Sequence, residues 1–395
     1  MNLNEFDVAR ARRETPGCEN VLHFNNAGAS LMPRPVVETM VEYLRQESET
    51  GAYETAERWA DKLEDVYDAF AALLSCRREE IAFVENATRA WDMAFYSIPF
   101  KPGDRILTSA SEYASNYIAF LQTAKKSGAV VEPVPNDSCG RVCLKSLEKM
   151  IDDRVKLIAI THVPTNGGLV NPAEEIGKIS RAAGVLYLLD ACQSVGQMPL
   201  DVNAIGCDML SGTGRKYLRG PRGTGFLYVR GDLIERLEPV FLDLHAAVWT
   251  SKDGYETRID ARRFENWESN CAGKAGLAAA VRYALSWGLE NIQSRVTGLA
   301  DMLRRTLSGI SGVTVRDLGL EKCGIVSFTV EGRDPEEIKR RLRELGMNVS
   351  VSVVEWTRLD MESRGLWSLV RASVHYYNTP EEIERFGAAV SGLAS

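Results

Sequence analysis

Apolar and polar positions follow two periods along this chain. Short apolar runs of strand length keep giving way to a polar turn and then to an amphipathic stretch of helical period. Residues 81–98 read as strand, turn and helix, 101–128 as turn, strand, short loop and helix, and 129–135 as a further strand. Residues 155–172 read as strand, loop and proline, and 173–184 as an amphipathic crossover helix. An apolar run from Val185 to Leu189 then ends on Asp190, and a second, Met209–Leu210, ends on Ser211. The stretch 187–228 reads as strand, turn, helix, strand, a turn carrying Lys216, a glycine-rich loop and a strand. This repeated alternation predicts an α/β fold around a mostly parallel sheet.

The flanks follow a different rhythm. Residues 1–20 predict a short helix and a turn, and 21–33 a brief strand entering a small-residue turn. Over 34–76 two helical faces are predicted, one of Val36, Val37, Met40, Tyr43 and Leu44, the other of Leu63, Val66, Tyr67, Phe70 and Leu73. Residues 249–263 read as a long polar loop, of the kind that is usually functional or at an interface. A long helical segment over 272–308 leads into a smaller α/β unit. Its strands are predicted at 313–315, 324–330, 349–354 and 369–374, and its helices at 335–345 and 380–390. The expected division is a large α/β domain over 15–275 and a small α/β C-terminal domain over 276–395, with 1–14 packing on the small one.

Composition narrows the function classes. The 395 residues are 45% apolar and 26% charged, with a net charge of −7 and no basic block, which argues against nucleic-acid or anionic-membrane binding. No apolar run reaches the length of a membrane span, and the polar start MNLNEFDVARARRE lacks the apolar region of a secretory signal. The eight cysteines have no CxxC spacing and read as reduced thiols of a cytoplasmic protein. His23, His162, His245 and His375 show no metal-ligand spacing, so no metal site is expected.

The candidate chemistry lies at the ends of two strands. In an open α/β sheet ligands bind at the carboxyl ends of strands, where Asp190 and Lys216 would both sit. A lysine amine can form a Schiff base with the aldehyde of pyridoxal 5′-phosphate (PLP). A carboxylate facing the pyridine nitrogen keeps it protonated, so that the ring accepts electrons. Thr213 and Arg215 flank the lysine as phosphate donors. Singly, a lysine is usually a solvated charge and a strand-end aspartate a cap. The joint occurrence of Asp190, Gln193, Thr213, Arg215, Lys216 and the GPRGTG loop is far more specific. Asn86, Ala87 and Thr88 would stand at a helix N-terminus, which suits either a plain cap or an anion.

With DACQSVG, TGRK and GPRGTG in place, the chain resembles the class V group of fold-type I PLP enzymes from about Phe24 to Ile383. That group includes cysteine desulfurases, cystine C–S lyases and isopenicillin N epimerase-like proteins. The resemblance implies PLP as cofactor and a homodimer with shared active sites. It assigns the phosphate to Ala87 and Thr88, the ring face to Tyr113 where desulfurases carry a histidine, and the 3′-oxygen to Asn166 with Thr165 in reserve. It assigns the substrate α-carboxylate to Arg371 within LVRASVHYYNTPEEI, and substrate contacts at the mouth to Asn25 and Asn26, with Ala27 beside them. RFENWESN, 263–270, matches the segment that reaches a neighbouring subunit's phosphate. The family's Gly-Thr-Pro is replaced there by Trp267, Glu268 and Ser269, and Ser269 or Asn266 is favoured over Glu268 because a carboxylate repels phosphate.

Two departures bear on the reaction. Tyr113 offers a phenol with an ordinary pKa of about 10, a poorer proton shuttle at neutral pH than imidazole. Desulfurases of the group pass sulfur to a cysteine in a small-domain loop, and no cysteine occurs between Gly346 and Arg371. The expectation is a C–S β-lyase acting on an S-substituted L-cysteine, with Lys216 as base, Asp190 as partner of the ring nitrogen and Tyr113 beside them. DACQSVGQMPLD looks closest to cystine lyases. Similar chains occur in secondary metabolism, including lincosamide antibiotic pathways, where some perform decarboxylative oxidative deamination. That activity or an aminotransferase is the alternative. An epimerase and a catalytically silent binding protein stand further back.

Overall fold

The computed structural model describes residues 6–394. Its frame is a seven-stranded sheet: β1 (Ile81–Val84), β2 (Arg105–Ser109), β3 (Val130–Val134), β4 (Val155–Thr161), β5 (Leu186–Asp190), β6 (Met209–Thr213) and β7 (Gly225–Val229). The spatial order is β1-β7-β6-β5-β4-β2-β3. β3, β2, β4, β5 and β6 run parallel, while β7 is antiparallel to both β6 and β1. Successive side chains of a strand point to opposite faces. Tyr187 and Leu189 therefore join the core on one side of the sheet and Leu188 the core on the other. All three are fully buried. A buried leucine of this kind contributes about 1.5–3 kcal/mol, which fixes the register that brings Asp190 level with Ser211 on β6.

A four-stranded antiparallel sheet forms the second layer system, with Val313–Val315, Ile325–Val330, Ser368–Ser373 and Ser350–Val353 in that spatial order. Helix Cys271–Trp287 packs against helices Arg34–Thr50 and Ala60–Leu74. The expected division at 275/276 thus falls inside one helix. Phe6 stacks on Trp287 at 4.8 Å, and Arg12 pairs with Glu382 at 2.7 Å. Both tie the start of the described chain to its C-terminal part. Residues 1–5, within the expected first helix and turn, lie outside the described residues.

Several sequence expectations are corrected. The segment 272–308 is two helices, Cys271–Trp287 and Leu289–Ser308, broken at Gly288 with φ +78°, a conformation that only glycine adopts freely. On helix Arg34–Thr50, Val36 and Tyr43 are buried, but Val37 and Leu44 are 39% and 52% exposed. The inward stripe is narrower than the apolar pattern suggested. The polar loop 249–263 is largely structured. Ala247–Ser251 and Gly254–Thr257 form an antiparallel hairpin, and Ala261–Phe264 a 3-10 turn. Val248, Trp249 and Tyr255 favour strand, and Asp253-Gly254 is a turn signal.

Candidate active site

The cavity at the carboxyl ends of β4, β5 and β6 is lined by Asn86, Ala87, Thr88, Tyr113, Thr161, Val163, Thr165, Asp190, Cys192, Gln193, Thr213, Arg215 and Lys216. Parallel neighbours β5 and β6 present Asp190 and, three residues past the end of β6, Lys216. The turn after the lysine is held by Arg219, in the left-handed region at φ +59° and 1% exposed. Its guanidinium donates to Leu31 O (2.8 Å), to the Tyr376 hydroxyl (2.7 Å) and to the Thr15 hydroxyl. These bonds hold the strained residue in place, and its N–H donates to Lys216 O at 2.9 Å, closing the turn.

Burial, with the charge of Arg215 adding to it and Cys192 and Asp190 opposing, brings the Lys216 ammonium down to about 8. Asp190 is 5% exposed. Its Oδ1 accepts the Cys192 N–H at 2.9 Å and its Oδ2 the Asn116 amide at 3.0 Å. Burial holds the Cys192 thiol well above the usual range, and Asp190 reinforces this.

At the other end of the cavity, helix Ala87–Tyr96 begins. Asn86 caps it, its side chain accepting the Arg89 N–H at 2.9 Å. Neither the N–H groups of Ala87 and Thr88 nor the Thr88 hydroxyl takes part in that cap, so they remain for an anion at the positive end of the helix. Gly225 makes room for this turn. A Cβ there would stand 2.6 Å from Asn86 C and 2.9 Å from Ala87 N. Thr213 and the half-buried Arg215 flank the same space, Arg215 also donating to Gly28 O. A cluster of N–H groups, two hydroxyls and a guanidinium suits a phosphate, and a depressed lysine opposite a buried carboxylate suits a pyridine aldehyde. The residues present therefore fit PLP. Gln193 lies beside them, its Nε2 donating to Ala27 O (3.1 Å) and its buried Oε1 without a protein partner.

Some expected residues stand elsewhere. Asn166 does not line the cavity, because its Nδ2 is committed to Asp360 Oδ2 at 2.8 Å. Thr165, the reserve, lines the wall instead. Asn26 is fully buried and saturated. It donates to Ser373 O (2.7 Å) and His23 O (3.2 Å) and accepts from the Tyr377 hydroxyl. It is a tether between chain segments, which removes it as a substrate contact. Asn25 bridges to Ser373 and lies outside the cavity lining, its Oδ1 buried without a partner. Ser269 lies outside the cavity of its own chain, beside the exposed Trp267 and the buried, unpartnered Oδ1 of Asn266. Arg371 is 3% exposed on strand Ser368–Ser373 and reaches the cavity wall through Thr165, donating from Nη1 to its carbonyl and hydroxyl, both at 2.8 Å. Its Nε has no partner.

His162 is buried with an unpartnered Nδ1, and burial lowers its pKa to about 4, so it is neutral. Glu112 and Asn116, directly behind Asp190, were not legible as site residues. In the SEYASN loop only Tyr113 stands out from the sequence, and a glutamate ahead of a helix ordinarily reads as an N-terminal acidic residue.

Comparison with known proteins gives the family and the fold. The family model described as aminotransferase class-V matches residues 22–386. A probable cysteine desulfurase of Methanothermobacter thermautotrophicus is 32% identical over 393 residues, covering 97% of each chain. The apo structure of a cysteine desulfurase from Thermococcus onnurineus superposes with a TM-score of 0.91 at 30% identity, covering 98% of both chains. The cystine C–S lyase C-DES, solved with its product cysteine persulfide, shares the fold at a TM-score of 0.85 and 23% identity, covering 95% of this chain and 99% of its own. No helix among the described residues is long and apolar enough to cross a membrane. A family match over almost the whole chain, on a fold that brings Asp190 and Lys216 to one cavity, makes this protein a PLP-dependent enzyme of the class V aminotransferase family.

Proposed function

We propose that the chain is a C–S β-lyase that cleaves an S-substituted L-cysteine, with water, to a thiol, pyruvate and ammonia. The observation that carries the reading is the segment 346–371, which contains no cysteine. It is folded into strand Ser350–Val353, a 3-10 turn and helix Arg358–Ser363. Asp360 pins that helix to Asn166 at 2.8 Å, and Arg364, which caps the same helix, donates to Asp360 at 3.0 Å and to Arg316 O. A desulfurase of the resembling kind needs a mobile thiolate there. Cys192, which does line the cavity, has its thiol held protonated by burial and is a poor nucleophile. A carbon–sulfur cleavage whose sulfur product leaves directly needs no such relay.

In this reading Ala87, Thr88, Thr213 and Arg215 hold the cofactor phosphate, Tyr113 covers the ring and Gln193 borders it. PLP, when bound, supplies the electron sink for the substrate Cα. Arg371, braced by Thr165, holds the substrate carboxylate and thereby orients the Cα–H bond. Lys216 takes that proton at Nζ, its lowered pKa leaving about a tenth of the amine free at neutral pH, far more than an ordinary lysine. Asp190 keeps a proton at the ring nitrogen. The working unit is taken as a homodimer, with 266–269 reaching the neighbouring site. The exposed Trp267 and the unpartnered Asn266 Oδ1 support that contact.

The test is product analysis with S-alkyl- and S-glycosyl-L-cysteines, following thiol, pyruvate, carbon dioxide and persulfide together. Thiol and pyruvate in equal amounts are expected. Carbon dioxide with an aldehyde and no thiol would replace the lyase by a decarboxylative deaminase. Persulfide with alanine, formed from cysteine, would restore the desulfurase.

A further inference from the structure

A second carboxylate stands behind Asp190. Glu112, between β2 and helix Ala114–Ser127, is 4% exposed. Its Oε1 accepts from Asn116 Nδ2 (2.8 Å), from the Thr161 hydroxyl and from the Tyr113 N–H (3.2 Å). Its Oε2 accepts from the Thr161 N–H (3.0 Å) and Thr108 Oγ1 (3.1 Å). Every one of these donors is neutral. The same Asn116 Nδ2 also donates to Asp190 Oδ2 at 3.0 Å. Two buried carboxylates are thus joined by a single amide group.

A buried anion without a cation is costly, and two of them together repel. The repulsion falls when Asp190 shares a proton with a partner. We propose that Glu112 is a positioning residue acting through Asn116: it fixes the Asp190 carboxylate, and its charge raises the affinity of Asp190 for the proton shared with the cofactor's pyridine nitrogen. The groups facing Glu112 are consistent with this. Asp190 and Tyr187 approach from β5, Thr161 from β4, Thr108 from β2 and Asn116 from the following helix. Glu355 and Arg358 line the apolar cleft on its outer side. Burial raises the Glu112 carboxyl to about 7, with Asp190 adding and the Thr161 and Asn116 hydrogen bonds opposing. Its charge therefore changes across the neutral range, and the pull on Asp190 is full above that range and lost below it.

The experiment uses the holoenzymes of wild type, Glu112→Gln and Asn116→Ala, reconstituted with PLP labelled with nitrogen-15 at the pyridine nitrogen. The ring-nitrogen NMR signal is followed against pH, with the PLP dissociation constant and the KM for an S-alkyl-L-cysteine. The wild type is expected to show an inflection near neutrality from Glu112, and Glu112→Gln to lack it. In Glu112→Gln the ring nitrogen loses its proton about one pH unit lower, roughly a tenfold change in protonated fraction at fixed pH. PLP binding weakens in the same direction while KM holds. Asn116→Ala, which removes the amide donor to Asp190 but keeps the charge of Glu112, shifts the signal the opposite way, to higher pH. It decides the matter if a glutamine NH2 facing the Thr161 N–H prevents folding. Ring-nitrogen titrations that superimpose on the wild type overturn the proposal, including the case in which only the melting temperature falls.

Discussion

Replacing Arg371 by lysine tests the substrate end of the site, because it keeps the charge and removes the planar fork. In the structure Nη1 is bound to Thr165 O and Oγ1, both at 2.8 Å, and the buried Nε has no partner. The fork is therefore braced on one nitrogen and unsatisfied on another, which is the state expected of a guanidinium awaiting a carboxylate. Burial pulls Arg371 down only to about 10, so it stays charged at neutral pH. A charge-assisted hydrogen bond contributes about 1.5–3 kcal/mol. A lysine ammonium at this site loses one such bond to the substrate and the bracing of Thr165. A loss of about 2–3 kcal/mol corresponds to roughly 30- to 150-fold in KM, at 1.4 kcal/mol per tenfold. The assay is KM and kcat on an S-alkyl-L-cysteine, compared with binding of the matching S-alkyl-cysteamine, which lacks the carboxylate. The expected result is a raised KM for the amino acid, an unchanged cofactor absorption band, and equal binding of the amine by both proteins. An unchanged KM, or an equal loss for both ligands, would remove Arg371 from carboxylate recognition.

Other perturbations reach different parts of the site. With Lys216 as base at about 8, kcat should rise with pH below that value and level off above it, since only the free amine accepts the proton; a flat profile from pH 6 to 9 (roughly the range a lysine lowered to this value would span) would exclude Lys216 as the rate-governing base. Gly225→Ala should weaken PLP binding by about tenfold or more, measured by reconstitution of the apoenzyme, because its Cβ would sit 2.6 Å from Asn86 C and displace the phosphate turn; wild-type affinity would mean the turn carries no phosphate. Cys192→Ala should retain thiol release with no persulfide detected by alkylation and mass spectrometry, and abolished turnover would revive a covalent role for the thiol.

The large sheet and the Asp190–Lys216 pair were legible because both follow from long-range regularities. Strand-length apolar runs fix the sheet, and the ends of adjacent parallel strands fix where two side chains meet. Choices between neighbours were not legible. Thr165 and Asn166 differ by one position in a turn, and which of them faces the cavity depends on Asp360, almost two hundred residues later, taking the asparagine amide at 2.8 Å. Asn26 carried the composition of a substrate contact, yet carbonyls of His23 and Ser373 and the Tyr377 hydroxyl satisfy it first. The hairpin Ala247–Thr257 was hidden by its polar residues, although its alternation and Asp253-Gly254 turn were present in the sequence.

Glu112 was invisible for a deeper reason. Its meaning lies in the two hydrogens of one amide, Asn116 Nδ2, which reach Glu112 at 2.8 Å and Asp190 at 3.0 Å. Sequence proximity explains only the first of these contacts, since residues four apart meet across a helix start. The second requires β5 to deliver Asp190 beside the helix that follows β2, with β4 lying between the two strands in the sheet. An acid that reads locally as a helix-start residue thereby becomes part of the electrostatics of a cofactor site. The same topology accounts for Thr161, which lines the cavity while both its N–H and its hydroxyl hold Glu112. A change at Thr161 would therefore disturb the cavity wall and the buried acid together, whereas Asn116→Ala separates the two, and so the asparagine is the sharper place to cut.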